Sequence, residues 1–182
     1  MTDWTKCYLP EKYTRKIADF ILFFSTKDEG EATEFFNKLR QYNEDHSLDI
    51  VGYRYNKLEP GRILQCIADV CELGVDKLLF ITENFIADEW MLLQKDEQIT
   101  INLLKENKSN VIPLFTKPKE DIRNLPSGLH SFTGFYIVEE IGKLFKKMER
   151  RYKSEDHRKE KKMLGDKQKE RKDSYIKELA KE

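Results

Sequence analysis

The chain has 182 residues, which at ~150 residues per domain is one domain plus an extension. Lys and Arg number 33 and Asp and Glu also 33, so the formal net charge is zero and leaves no electrostatic footprint for non-specific nucleic-acid binding. The longest apolar runs are about five residues against the ~20 that span a bilayer, and three cysteines, Cys7, Cys66 and Cys71, are too few and too badly spaced for a disulfide framework or a zinc cage.

The N-terminal stretch Met1 to Pro10 lacks the apolar region of a signal peptide, and Thr2 offers no myristoylation acceptor. The cysteines therefore read as reduced thiols, and the expected location is cytoplasmic, with no membrane insertion. Charged residues make up 36% of the chain, well above the ~25% of an ordinary domain. The excess sits at the C-terminus: residues 152–182 hold 11 Lys/Arg and 8 Asp/Glu.

In chain order, Phe20 to Phe24 is a continuous apolar run of the kind that forms a strand buried on both faces. Ser25 to Asp28 is rich in capping side chains, and Ala32, Phe35, Phe36 and Leu39 then recur at helical spacing. Leu48 to Tyr53 is the second predicted strand, followed by the polar segment Arg54 to Arg62. Pro60 fixes φ there and Gly61 frees the backbone, so a helix is predicted to start at that point and run through Cys71, with Gly74 ending it. Lys77 to Ile81 is a third buried strand, with Thr82 and Asn84 placed to cap the segment after it. Trp90 to Leu104 reads as a long helical region. Asn110 to Phe115 is the fourth strand, and Pro113 marks it as irregular or near an edge. Residues 116–133 read as loop with at most a short helix, Gly134 to Ile137 as a short fifth strand, and Ile141, Leu144, Phe145, Met148 and Tyr152 as a helical stripe.

Five strand–helix units in alternation predict an α/β, flavodoxin-like fold: a five-stranded parallel sheet with helices on both faces and right-handed crossovers. The expected organisation is an N-terminal extension over 1–16, the domain over 17–151, and a charged tail over 152–182. In the tail, Met163, Leu164, Tyr175, Ile176 and Leu179 are too widely spaced for a heptad seam, so it reads as a solvated helix, about 46 Å long if continuous.

Signatures of common enzymes are missing. One late glycine, Gly30, follows the first strand, which fits neither a dinucleotide fingerprint nor a phosphate-binding loop. No Gly-x-Ser-x-Gly elbow is present. His46, His130 and His157 all lie in polar stretches and read as surface residues, with no spacing that suggests a metal site.

Four boxes in register resemble the Toll/interleukin-1 receptor (TIR) domain. Asp19 and Phe20 through Ser25, then Asp28-Glu29, resemble its first box. Arg54-Tyr55-Asn56-Lys57-Leu58-Glu59-Pro60-Gly61-Arg62 resembles the BB loop, marked by Pro-Gly at the start of the second helix. Leu78 through Asn84 and Phe85, then Asp88-Glu89-Trp90, resemble the third strand and the acidic-Trp turn after it, and Val111 to Leu114 resembles the fourth strand. The resemblance covers residues 17–150 and departs from the family at Phe132 to Tyr136, where a Phe-Trp pair is common and no Trp is present. Within the family the chain is most similar to the TRIF/TRAM-type adaptors of Toll-like receptors, without an N-terminal myristoylation Gly or a RIP-homotypic core in the tail.

That resemblance implies an intracellular innate-immune signalling adaptor, with no catalysis and no cofactor. Its partners would be other TIR domains, in receptors or adaptors, engaged through residues 54–62, with open, filamentous self-association one outcome of repeated head-to-tail contact. TIR enzymes that cleave NAD place a Glu four residues after a Trp. Here that position, four after Trp90, is Gln94, which supplies hydrogen bonds but no negative charge. Glu97 is the alternative acid, roughly 60° around the helix from Gln94 and one turn further on. The rival expectation is therefore an NAD glycohydrolase or cyclase using Glu97.

Overall fold

A computed structural model describes residues 11–55, 71–90, 110–130 and 133–181. The elements in order are α1 (Glu11–Thr14), β1 (Ala18–Phe23), α2 (Glu29–His46), β2 (Gly52–Tyr55), β3 (Gly74–Ile81), α3 (Glu83–Phe85), β4 (Val111–Phe115), α4 (Ser127–His130), β5 (Phe135–Tyr136), α5 (Ile137–Tyr152) and α6 (Glu155–Leu179). A π-helical turn, Ile86–Trp90, continues α3.

The five strands form one sheet in the order β2-β1-β3-β4-β5, and every neighbouring pair is parallel. Burial on both faces is what the apolar runs dictate: all six residues of β1, all eight of β3 and all five of β4 are buried. Side chains alternate between two cores with the period of a strand. Phe20, Leu22, Leu78, Phe80, Ile112 and Leu114 face one side, where Ala32, Phe35 and Leu39 of α2 and Leu144, Phe145 and Met148 of α5 cover them. Ile21, Phe23, Leu79, Ile81, Val111 and Phe115 face the other, under Phe85, Ile86, Trp90, Ile122 and Leu129.

Strand limits differ from the sequence reading by a few residues, for packing reasons. β2 begins at Gly52, a position that only glycine fits, because a Cβ there would sit 2.1 Å from the Phe20 ring. Gly74, predicted to end a helix, is instead the first residue of β3 and pairs with Ala18. β5 is only two residues long and pairs with Leu114 and Phe115, so among the described residues β4 up to Pro113 is paired on one side, with β3, which is where a missing N–H is tolerated. Gly134 crosses so close over β4 that a Cβ would lie 2.4 Å from the Pro113 carbonyl oxygen.

The tail differs more. It is helical as expected, but it is docked rather than solvated all round. Ser154 caps α6, its Oγ accepting from the His157 N–H at 3.2 Å and donating to the Arg151 carbonyl at 2.6 Å. The helix then runs past the amino ends of β1 and β3 to α1, where the Tyr13 and Tyr175 rings lie 5.3 Å apart. His157, read from sequence as a surface residue, is 3% exposed. No helix among the described residues is long and apolar enough to cross a membrane.

Candidate functional site

In this strand order the chain changes direction between β1 and β3. Loops leaving the carboxyl ends of those strands diverge there and open the crevice where parallel sheets bind ligands and partners. The structure brings most of the described motif residues to that edge. Ser25 follows β1 and caps a short turn, its Oγ accepting from the Lys27 N–H at 3.3 Å. Asp28 ends that turn and is buried. Its Oδ2 accepts from the Thr82 hydroxyl at 2.5 Å and its Oδ1 from the Asn84 amide at 2.7 Å. Thr82 in turn accepts from the Phe85 N–H at 2.9 Å, capping α3. One carboxylate thus ties the loop after β1 to the helix start after β3. Beside it, Ser25 Oγ donates to Asp88 Oδ2 at 3.4 Å, and Lys27 Nζ lies 3.1 Å from the same oxygen. Phe85 and Trp90 are buried in the core below.

Two open grooves of about 590 Å³ each flank this clamp. One runs between α2 and α5, with Glu31, Glu34, Lys38, Thr116 and Lys117 on its walls. Its cations are paired, Lys38 with Glu34 at 2.8 Å and Lys117 with Glu83 at 3.5 Å. The other groove lies on the opposite sheet face, between Ile86, Ala87 and Trp90 on one side and Arg123, Pro126 and Ser127 on the other. Among the described residues no group of three or more His, Cys, Asp or Glu is placed to hold a metal ion. With both oxygens of Asp28 engaged, the arrangement fixes the positions of two loops relative to each other.

Of residues 54–62, Arg54 and Tyr55 are the last two of β2, Tyr55 pairing with Phe23. The Arg54 guanidinium donates to Thr33 Oγ1 at 2.9 Å and lies 5.6 Å from the Phe36 ring centre, so it leans onto α2. Asn56, Lys57, Leu58, Glu59, Pro60, Gly61 and Arg62 lie outside the described residues, as do Gln94 and Glu97. β2 is parallel to β1 and ends at Tyr55 beside Phe23, at the same end of the sheet as the Asp28 clamp.

Asp19 and Phe20 lie at the other end of the sheet. Phe20 is core; Asp19 belongs to a second cluster that sequence reasoning did not assemble. Asp19 Oδ1 takes the His157 Nε2 at 2.9 Å and the Lys161 ammonium at 2.8 Å, and Oδ2 accepts from the Val51 N–H at 2.9 Å. Burial pushes this carboxyl up, but the His157, Lys161 and Val51 hydrogen bonds outweigh burial and hold it below the usual range. On the next strand Asp76, fully buried, is gripped by Arg151 through two bonds of 2.7 Å, and Arg151 also reaches Asn110 at 2.9 Å. That grip raises the guanidinium above its ordinary value. Asn110 donates to Glu160 of α6 at 3.0 Å. The signal available in the sequence was the pair of acids inside apolar strands: a buried carboxylate needs a cation, and the basic tail is the nearest source.

The chain matches no protein-family model and no curated protein.

Proposed function

We propose that the chain is a TIR-type signalling adaptor, of the kind used in innate immunity, that works by TIR–TIR assembly through residues 54–62 and carries out no catalysis of its own. The observation that carries this reading is the Asp28 clamp. The first and third boxes of the resemblance are separated by more than 50 residues, yet Asp28 of one is bonded to Thr82 and Asn84 of the other. The five-stranded parallel sheet is the scaffold such a domain requires, and β2 ends at Tyr55 beside Phe23, at the end of the sheet that carries the Asp28 clamp. Polar residues there, Lys57, Glu59 and Arg62, suit charge complementarity, which sets orientation and specificity more than affinity.

The reading is tested against the enzymatic alternative by NAD consumption of the purified chain at high protein concentration, where assembly is favoured. The expected result is no turnover above buffer. Clear turnover, abolished by Glu97→Gln, would replace the adaptor with an enzyme.

A further inference from the structure

Helix α6 is attached in an unusual way. Of its 25 residues only His157 is buried. Its attachments are nearly all polar and fall on one stripe. His157 and Lys161 meet Asp19, Gln168 donates to the Arg15 carbonyl at 2.8 Å, Arg171 pairs with Glu72, and Tyr175 meets Tyr13. These positions, at i, i+4, i+11, i+14 and i+18, lie within about 80° of one helix face. The apolar part of the seat is limited to Leu164, half-buried at i+7 beside Leu73 and Tyr13, and to the Tyr175 ring, so the apolar surface lost when the helix leaves is modest. The larger cost of opening is polar, because Asp19 loses the His157 hydrogen bond and the Lys161 ammonium together.

We propose that the floor formed by Asp19, Glu72 and the Arg15 carbonyl is a docking site for a basic helix, and that helix α6 of a second copy of this chain occupies it in exchange for the chain's own. The junction between α5 and α6 is two residues, Lys153 and Ser154, and a hinge that short favours exchange between copies over a loose open form. Every contact made in cis is available in trans, since the second copy carries the same stripe at the same spacing. The partner is basic because the floor offers acceptors: two carboxylates and a carbonyl. This surface lies at the amino ends of the strands, opposite the 54–62 edge, and the inference does not rest on the assembly reading.

The test uses the full chain carrying His157→Ala, its fold verified by circular dichroism, with a fluorescent peptide of residues 153–182 as the ligand. With the cis latch weakened, though Lys161, Gln168, Arg171 and Tyr175 still hold, the floor is accessible for a larger fraction of the time, so saturable binding of the native peptide is expected. The affinity is expected to fall at least about tenfold when the peptide carries His157→Ala, as the loss of a buried charged hydrogen bond requires. The native chain is expected to bind the same peptide more weakly, because its own helix competes at an effective concentration in the ~mM range. If His157→Ala does not fold, Lys161→Ala serves as the opened chain. A folded, opened chain that fails to bind the peptide up to about 1 mM, the scale of the cis competition, overturns the proposal. Binding that is indifferent to His157 in the peptide overturns it equally. Pro60→His in the opened chain is expected to leave peptide binding unchanged.

Discussion

At the scale of single residues, three charged groups in or beside strands decide how the chain is held. Asp28 is the clamp of the carboxyl edge. Asp28→Ala strands the Thr82 hydroxyl and the Asn84 amide, at a cost of about 1–3 kcal/mol. A urea titration with unchanged slope and a lowered midpoint is the expected outcome; an unchanged midpoint would show that the clamp does not hold the edge. Asp19 makes stability depend on pH. Its folded value lies below the ordinary 3.8, so its contribution is fully present above 3.8 and is lost as pH falls through the folded value. Melting temperature is expected to climb between about pH 2 and pH 5 more steeply in the native chain than in Asp19→Asn. Lys77 is the reverse case. It is buried in β3 with its ammonium on the Val75 carbonyl at 3.0 Å, and burial lowers its affinity for a proton. Lys77→Met is expected to leave stability within about 1 kcal/mol or raise it, since an apolar isostere removes a desolvated charge. A loss well beyond that would mean the charge is needed.

At the scale of elements, legibility followed burial. β1, β3 and β4 are apolar on both faces, so their runs announce a parallel sheet without further help. The stripes of α2 and α5 are equally plain, because Phe35 and Leu39, or Leu144 and Met148, recur at the helical period under a single core. β5 and the start of β2 were less legible, since two-residue pairing and a glycine imposed by the Phe20 ring are properties of neighbours, not of local pattern. The candidate site divides the same way. Thr82 and Asn84 show as capping residues because caps are local, whereas their common partner Asp28 lies 54 and 56 positions away. The docking of α6 was hidden for a further reason. Its contacts are polar, and a helix held by His157, Lys161 and Arg171 has the composition of a solvated one. This changes what removal of the tail should do. A domain ending at Tyr152 has its apolar stripe complete but leaves Asp19 without its His157 and Lys161 partners. Deleting residues 153–182 is therefore expected to lower unfolding free energy by about 1–3 kcal/mol, the usual loss of hydrogen bonds to a charged group. A truncated chain as stable as the full one would show that α6 contributes nothing to the fold.

At the scale of the whole molecule, the two ends of the sheet are built for different tasks. The amino end is closed by the chain's own basic helix on Asp19 and Glu72. The carboxyl end carries, among the described residues, two grooves flanking the Asp28 clamp, and β2 ends there at Tyr55. Sedimentation velocity of the native chain beside Pro60→His, across a range of protein concentrations, tests the proposed assembly through residues 54–62. The expected result is concentration-dependent association of the native chain, lost in Pro60→His while both melt with the same cooperativity. Association of equal strength in a folded Pro60→His chain would contradict the claim and place the contact elsewhere on the molecule.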